Sequence, residues 1–575
     1  MLIRCISLVV LLFSLLMNSC AKQQVKSSAE QGSSSEESYH HFLLGTIAEK
    51  EGKWESALDH YQKALQQDPQ ASGLQLQVSY LLLRTGRISE AIAGAEEIIR
   101  REPDNVSALL LLGQLYNSQK RADDAIAVYR RILSIRPNHQ EAAIFLSLLY
   151  ASRKQHAEAV DILERMVEQD PGSTMALFYL GSLYLDAGDI DKAADYYLRT
   201  IAQKPNFDAA YYNLGLISEL RNAWEEAEDY YDKAVSANPF NLQARERLAQ
   251  LYFKQKETDR AIEQYKEISS QVPVNIDAHV NLGILYLDDK QYDKAIEEFR
   301  IVLEARPQNT AIRYYLAVSL GELERSDEAI DELKKIIAQD SRNMNAFLYL
   351  GLLYARLNRA DDAISIFSEI LSFEQGKADI YLYLASAYIH KKEFAKAEEV
   401  LRDATGRFPE DDELLFNLAV VFEKTARFDE MERCLKKVIE LNPEHADALN
   451  YLGYSYADKG IHLDEALLFI RKALDLKPDS GYIMDSMGWA YFKTGRYPEA
   501  LEMLLRAAEL VKDDPTILEH IGDTFNAIGE KQKAREYWEK SLGFHERAED
   551  EAFRERVLKK LREIGYRNGQ TGEEK

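Results

Sequence analysis

From about Ser38 to Leu542, apolar and polar positions follow a pattern that returns every 34 residues. Each period holds two stretches whose apolar residues fall on one side of a 3.6-residue helix, separated by a short polar turn. The pattern therefore predicts two amphipathic helices per period, A and B. Small residues fix the register. Stepping by 34 from Ala57 meets alanine ten more times, through Ala91, Ala125 and Ala227 to Ala397. Met431 breaks the series once, and one inserted residue then shifts the frame to Ala466, Ala500 and Ala534. Twelve residues upstream, in helix A, a second small position runs from Gly45 and Ser79 through Gly215 and Ala317 to Gly488 and Gly522, with the insertion moving Gly453 to thirteen. Twelve residues downstream lie eleven of the thirteen prolines, from Pro69 to Pro478. The other two, Pro498 and Pro515, start predicted helices, where a missing N–H costs nothing.

These positions have a direct physical reading. The small residue of helix A and the alanine of helix B let the two helices approach closely, and the proline ends helix B. One pair cannot bury its apolar face alone, so the units must stack on a continuous core. Period, small positions and proline together resemble the tetratricopeptide repeat, across residues 38–548. The resemblance implies an all-α fold, a right-handed superhelix (an α-solenoid) of about fifteen helix-turn-helix repeats. The 33 tyrosines fit it. Nine lie three residues after the small position, among them Tyr116, Tyr252 and Tyr491, and five lie four after the helix B alanine, such as Tyr129 and Tyr231. These fourteen are packing residues rather than a cofactor box.

The last repeat needs a lid, because its outward face would otherwise be apolar. Residues 549–566 supply a capping helix, with Phe553, Val557, Leu561 and Ile564 on one face, opposite Arg554, Lys559 and Arg562. Gly565 suits a C-cap. The polar tail, 567–575, is expected to be disordered.

Residues 1–19 read differently. Arg4 precedes an apolar run from Ile6 to Met17. It is too short to span a bilayer, which takes about twenty residues, and it has the build of a secretory signal. The segment Met17-Asn18-Ser19-Cys20 resembles the bacterial lipobox, which implies lipidation at Cys20. Ordinary cleavage at Ser19-Cys20-Ala21 is the competing reading and would release a soluble protein. Cleavage before Cys20 leaves Cys434 as the one free thiol of three cysteines. By resemblance to the enterobacterial sorting rule, Ala21 points to the outer membrane, on its periplasmic face. Residues 20–37 are polar and are expected to form a flexible tether.

Composition narrows the function. The formal charge is −24, which argues against nucleic acid as a partner, since that needs a basic face to release counterions. Searches for a phosphate loop, a GxGxxG turn, HExxH, GxSxG or a CxxC pair find none. Acidic doublets such as Asp123-Asp124 and Asp361-Asp362 fall at helix starts, where negative charge is favoured. The stretch Asp186 to Asp191 lacks the ligand spacing of a calcium loop. The reading is a non-enzymatic scaffold with no cofactor, no metal and no small-molecule substrate.

Partner contacts are expected on the inner face that the A helices line, at six and three residues before the small position and one after it. Most repeats carry apolar residues there, including Tyr80, Phe178, Tyr212 and Tyr314. A partner buried in the groove and a superhelix that packs on itself both explain them. The last three repeats differ, with Asp447, Asn450 and Tyr454, then Tyr482, Asp485 and Trp489, then Glu519 and Asp523, and Phe492 nearby. This acidic and aromatic set suits a segment with Arg, Lys and apolar anchors. A solvated acidic end with structural aromatics is the alternative.

The stretch Leu452–Ala507 resembles the C-terminal block of outer-membrane tetratricopeptide-repeat lipoproteins. One of these is the adaptor of a periplasmic carboxyl-terminal-processing protease and its cell-wall hydrolase substrates. The resemblance implies an adaptor that raises effective concentration. An assembly lipoprotein for secretion, pilus or exopolysaccharide export is the second reading, and an enzyme with an unrecognised site the third.

Overall fold

The computed structural model describes residues 36–545 and 551–565. The signal segment, Cys20, nearly all of the tether and the tail lie outside the described residues. Among those described there are thirty-one helices and no strand. They form fifteen A–B pairs, from Glu36–Lys50 with Trp54–Gln67 to Pro515–Ala527 with Lys531–His545, and one further helix, Glu551–Glu563. The architecture is thus all-α and built of stacked helical hairpins. The chain divides into two compact units, one ending at Leu285 and one beginning at Tyr286. In each, a helix packs mainly on its hairpin partner and on the helix that follows.

The small position of helix A receives one particular side chain, the residue four after the helix B alanine. A methyl group added to Gly113 would sit 2.6 Å from the Tyr129 ring, one on Gly215 2.5 Å from Tyr231, and one on Gly351 2.6 Å from Phe367. These rings are fully buried. Where the small position is alanine, the facing residue is commonly leucine, as in Ala317 with Leu333, Ala385 with Leu401 and Ala419 with Leu435. Hairpin spacing is therefore kept by trading bulk across the interface, the behaviour expected of a close-packed core.

The other tyrosine set closes the A–B turn. Arg121 lies over Tyr116 at 4.2 Å, Arg260 over Tyr252 at 3.9 Å and Arg496 over Tyr491 at 4.3 Å, a cation–π contact that orders the turn. Arginines at this turn position also hold the acidic doublets: Arg121 pairs with Asp124 and Arg359 with Asp362, both at 2.7 Å. The first acid of each doublet reaches the next repeat, Asp123 to Arg153 at 2.6 Å and Asp361 to Lys391 at 2.5 Å. In the stretch considered for calcium, Asp189 caps a helix by accepting from the Lys192 amide at 3.1 Å, and Asp191 pairs with Arg221.

Every A–B turn passes through a left-handed residue. Five repeats use glycine, and nine use a side-chain-bearing residue with φ between 56° and 64°, from Lys120 to Ala426. In the thirteenth repeat the inserted residue is absorbed by two left-handed positions, Gly460 and His462. Ala426 is exposed and bears a Cβ that this conformation disfavours. Ala426→Gly should stabilise the second unit by about 0.5–1 kcal/mol, the relief of strain exceeding glycine's entropy cost. A urea midpoint unchanged or lowered would contradict this.

The two periods that lack the downstream proline, after Ala329 and Ala363, behave differently. Without a proline, the turn after the ninth repeat still closes, with the Asn343 amide donating to the Asp340 carbonyl at 3.1 Å. The turn after the tenth opens, and the Gly376 amide bonds the Glu374 carboxylate instead. Met431 is buried in the alanine's place without breaking its helix, Phe428–Leu441.

Candidate protein-docking surface

Three A helices carry the residues singled out at the C-terminal end: Ala446–Lys459, Gly481–Lys493 and Pro515–Ala527. Two are capped by side chains. His445 Nδ1 accepts from the Ala448 amide at 3.2 Å, and Asp514 accepts from the Thr516 and Ile517 amides at 2.9 and 3.0 Å. These caps fix where the helices begin, and repeat-to-repeat stacking brings their matching faces side by side.

The centre of that face is an interior network. Asp485 and Trp489 are only 7% and 8% exposed, which corrects the expectation that both line an open groove. Asp485 Oδ1 lies 2.8 Å from His520 Nδ1. The His520 ring stacks on Trp489 at 4.1 Å, and Phe492 stacks on the same indole at 4.8 Å. Trp489 Nε1 donates to Asp458 at 3.3 Å, and Lys493 lies 4.8 Å from the indole centre. His520 is fully desolvated. Burial alone would lower its pKa, but the charge and hydrogen bond of Asp485, with Asp523 and Glu519 nearby, outweigh it and raise the pKa above the ordinary histidine value. The Asp485 carboxylate therefore favours the protonated form of His520.

The acidic residues of the last repeat are not open to solvent either. Glu519 is 2% exposed. It receives the Arg556 guanidinium through both oxygens at 2.8 Å, and Lys560 at 2.6 Å. Burial works against its charge, but these cations win and hold its carboxyl below the usual range. Asp523 accepts from Lys560 at 2.6 Å and from Trp538 Nε1 at 3.0 Å, yet burial keeps its carboxyl above the usual range. Arg556 and Lys560 belong to the Glu551–Glu563 helix, whose Phe553, Val557 and Leu561 are buried. Sequence reading found that apolar stripe but missed the two cations beside it. Their i, i+4 spacing at the edge of the stripe was the available signal. His520 was also missed, because it sits one residue away from the positions assigned to the inner face.

Asp447 and Tyr482 remain accessible, and Asn450 is part-buried. Tyr482 is 60% exposed. Asn450 Oδ1 is buried at its atom and accepts no hydrogen bond. Asp447 is exposed and pairs with Lys477 at 2.8 Å. Tyr454 is part-buried, and burial raises its phenol pKa, with Asp458 and Asp485 adding to it.

Family profiles match along this stack. The tetratricopeptide repeat matches residues 23–72 and 486–550, and the N-terminal ARM repeat of tetratricopeptide repeat protein 21 matches 49–262. The coatomer epsilon subunit matches 224–451. The chain is a tetratricopeptide-repeat protein. It is 29% identical over 147 residues to the TPR repeat-containing protein PA4667 of Pseudomonas aeruginosa, covering 26% of this chain and 19% of that one. The chain thus spans about a fifth of that relative's length. Among solved structures, MamA is 28% identical, covering 28% of this chain and 95% of that chain, with TM-score 0.26. The C-terminal part of a TPR repeat-containing protein from Cytophaga hutchinsonii is 16% identical, covering 42% and 98%, with TM-score 0.37.

In the rest of this tetratricopeptide-repeat protein the apolar inner-face positions divide. Phe178 is buried in a cluster with Tyr179, Tyr197 and Phe207, with ring centres 5.0–5.6 Å apart, so it packs on its own repeat stack. Tyr80, Tyr212 and Tyr314 are half-buried. Tyr212 lies 5.9 Å from Tyr231, and Tyr314 lies 6.0 Å from Tyr349. Among the described residues no group of three or more His, Cys, Asp or Glu side chains could hold a metal ion. Cys434 is free and partly buried, and burial pushes its thiol pKa up.

Proposed function

We propose that this protein is a non-enzymatic scaffold of the bacterial envelope, lipid-anchored at Cys20, that docks protein partners on its A-helix face. Tetratricopeptide-repeat proteins bind protein partners. The observation that carries the site is Tyr482, 60% exposed on the A-helix face, with the part-buried Asn450 on the preceding A helix. The lipobox-like segment and the Leu452–Ala507 block support the adaptor form of this reading, in which a carboxyl-terminal-processing protease and its cell-wall hydrolase substrates are held together. The same segment also fits an assembly lipoprotein of an export system.

Affinity capture from solubilised envelope tests the proposal. Tyr482→Ala with Asn450→Ala should weaken partner recovery at least tenfold, while stability changes little, because Tyr482 is exposed and Asn450 Oδ1 has no hydrogen bond to lose. Cys20→Ala should move the protein from membrane to soluble fraction. Unchanged recovery removes the docking face, and a Cys20→Ala chain that still floats with membranes removes the anchor.

A further inference from the structure

Closing the apolar end of a repeat stack requires only an apolar stripe, and Phe553, Val557 and Leu561 provide it. Arg556 and Lys560 stand outside that stripe. They lie beside the stripe and reach onto the A helix of the fifteenth repeat, where Glu519 and Asp523 take them. A carboxylate buried as deeply as Glu519, bonded through both oxygens to one guanidinium, is a receptor for a cation at a defined place. The receptor extends along the same face. Tyr454 of the thirteenth repeat lies 6.5 Å from the His520 ring, which in turn bonds Asp485 of the fourteenth.

We propose that this end of the A-helix face is a docking site for a basic amphipathic helix of a protein partner, and that the Glu551–Glu563 helix holds the place until such a helix displaces it. The proposal rests on the reading that the C-terminal A helices dock a partner. The bound segment supplies the chemistry of the displacing one. Apolar residues stand at i, i+4 and i+8, with Arg at i+3 and Lys at i+7. The residues left behind, Glu519 and Asp523, are two carboxylates on a chain of charge −24, which attracts a basic segment and disfavours an acidic one. Displacement is feasible because the resident helix has thirteen residues. A helix that short is marginal by itself, and terminal elements open at the low end of the stability scale. Its tether sets the threshold. An effective concentration on the order of millimolar must be overcome, so a partner helix has to bind better than the resident one or be held at a second point.

The test uses the full chain and a labelled synthetic peptide of residues 549–566, followed by fluorescence anisotropy. Arg556→Glu with Lys560→Glu weakens the resident helix and leaves its apolar stripe intact. The peptide should bind this variant at least tenfold more tightly than the unsubstituted chain, and adding Glu519→Gln should remove most of the gain. Equal affinity for all three chains, or binding to none, overturns the proposal. Hydrogen exchange on the unsubstituted chain is the second measurement and applies even where charge reversal unfolds the last repeat. Amides of 553–563 should exchange at least tenfold faster than those of 516–526, and exchange in step overturns displacement. Peptide binding that fails while envelope capture still depends on Tyr482 and Asn450 sinks the occupancy claim alone. Capture independent of those two residues sinks the docking face itself.

Discussion

His520→Ala should lower the stability of the last three repeats by about 3–5 kcal/mol, because Asp485 stays buried with its charged partner gone. Urea unfolding followed by the fluorescence of Trp489 and Trp538 would report it. The loss should also depend on pH with a definite sign. The folded-state pKa of His520 lies above its unfolded value. The pair's contribution is therefore fully present below the unfolded histidine value of about 6.5 and is lost as pH rises through the folded pKa. The unsubstituted chain should lose stability in this region as pH rises above about 6.5, while the His520→Ala chain should lose much less. Arg556, Lys560 and imidazolium face Asp485, Glu519 and Asp523 across this network. Deprotonation leaves one negative charge unmatched in a buried place. Identical slopes in the two chains would refute the assignment of His520 as the charged partner.

The second large effect is expected at Gly215. A methyl group there meets the Tyr231 ring at 2.5 Å, and the ring is fixed at its far end by a 2.7 Å hydrogen bond from its hydroxyl to Glu219. Gly215→Ala should therefore cost about 1–3 kcal/mol by overpacking. Tyr231→Leu alone should cost a similar amount through the space it leaves. Combined, the two recreate the Ala–Leu pairing of Ala317 with Leu333 and Ala385 with Leu401, so the double variant should be more stable than the sum of the single losses by at least about 1 kcal/mol. Additive losses would show that the small position and the ring are not coupled.

The two sets of tyrosines and the acidic doublets were legible in the sequence because each has its meaning inside one repeat or between neighbours. Tyr129 faces Gly113 sixteen residues away, and Asp124 faces Arg121 three residues away. The site was legible only in part. The positions were located on the correct helices, but Asp485 and Trp489 turned out to be interior, Phe178 packs within its own stack, and Glu519 and Asp523 are taken by the chain's own last helix. Helical period tells which side a residue occupies. It does not tell what covers that side. The cover came from His520, which stacks on Trp489, and from Arg556, which reaches Glu519 from the last helix.

The sequence by itself determined the number of repeats, the register of their helices, the place of each turn and the existence of a closing helix. These follow from apolar spacing, small residues and proline within 34-residue units, where local geometry leaves little choice. Only the tertiary structure decided which inner-face residues stay accessible. The Asp485–His520 pair is separated by 35 residues and the Glu519–Arg556 pair by 37. Whether such residues meet depends on how one repeat is set against the next and where the last helix lies down. Those offsets are fixed by packing summed over many contacts, and no single stretch of sequence carries them.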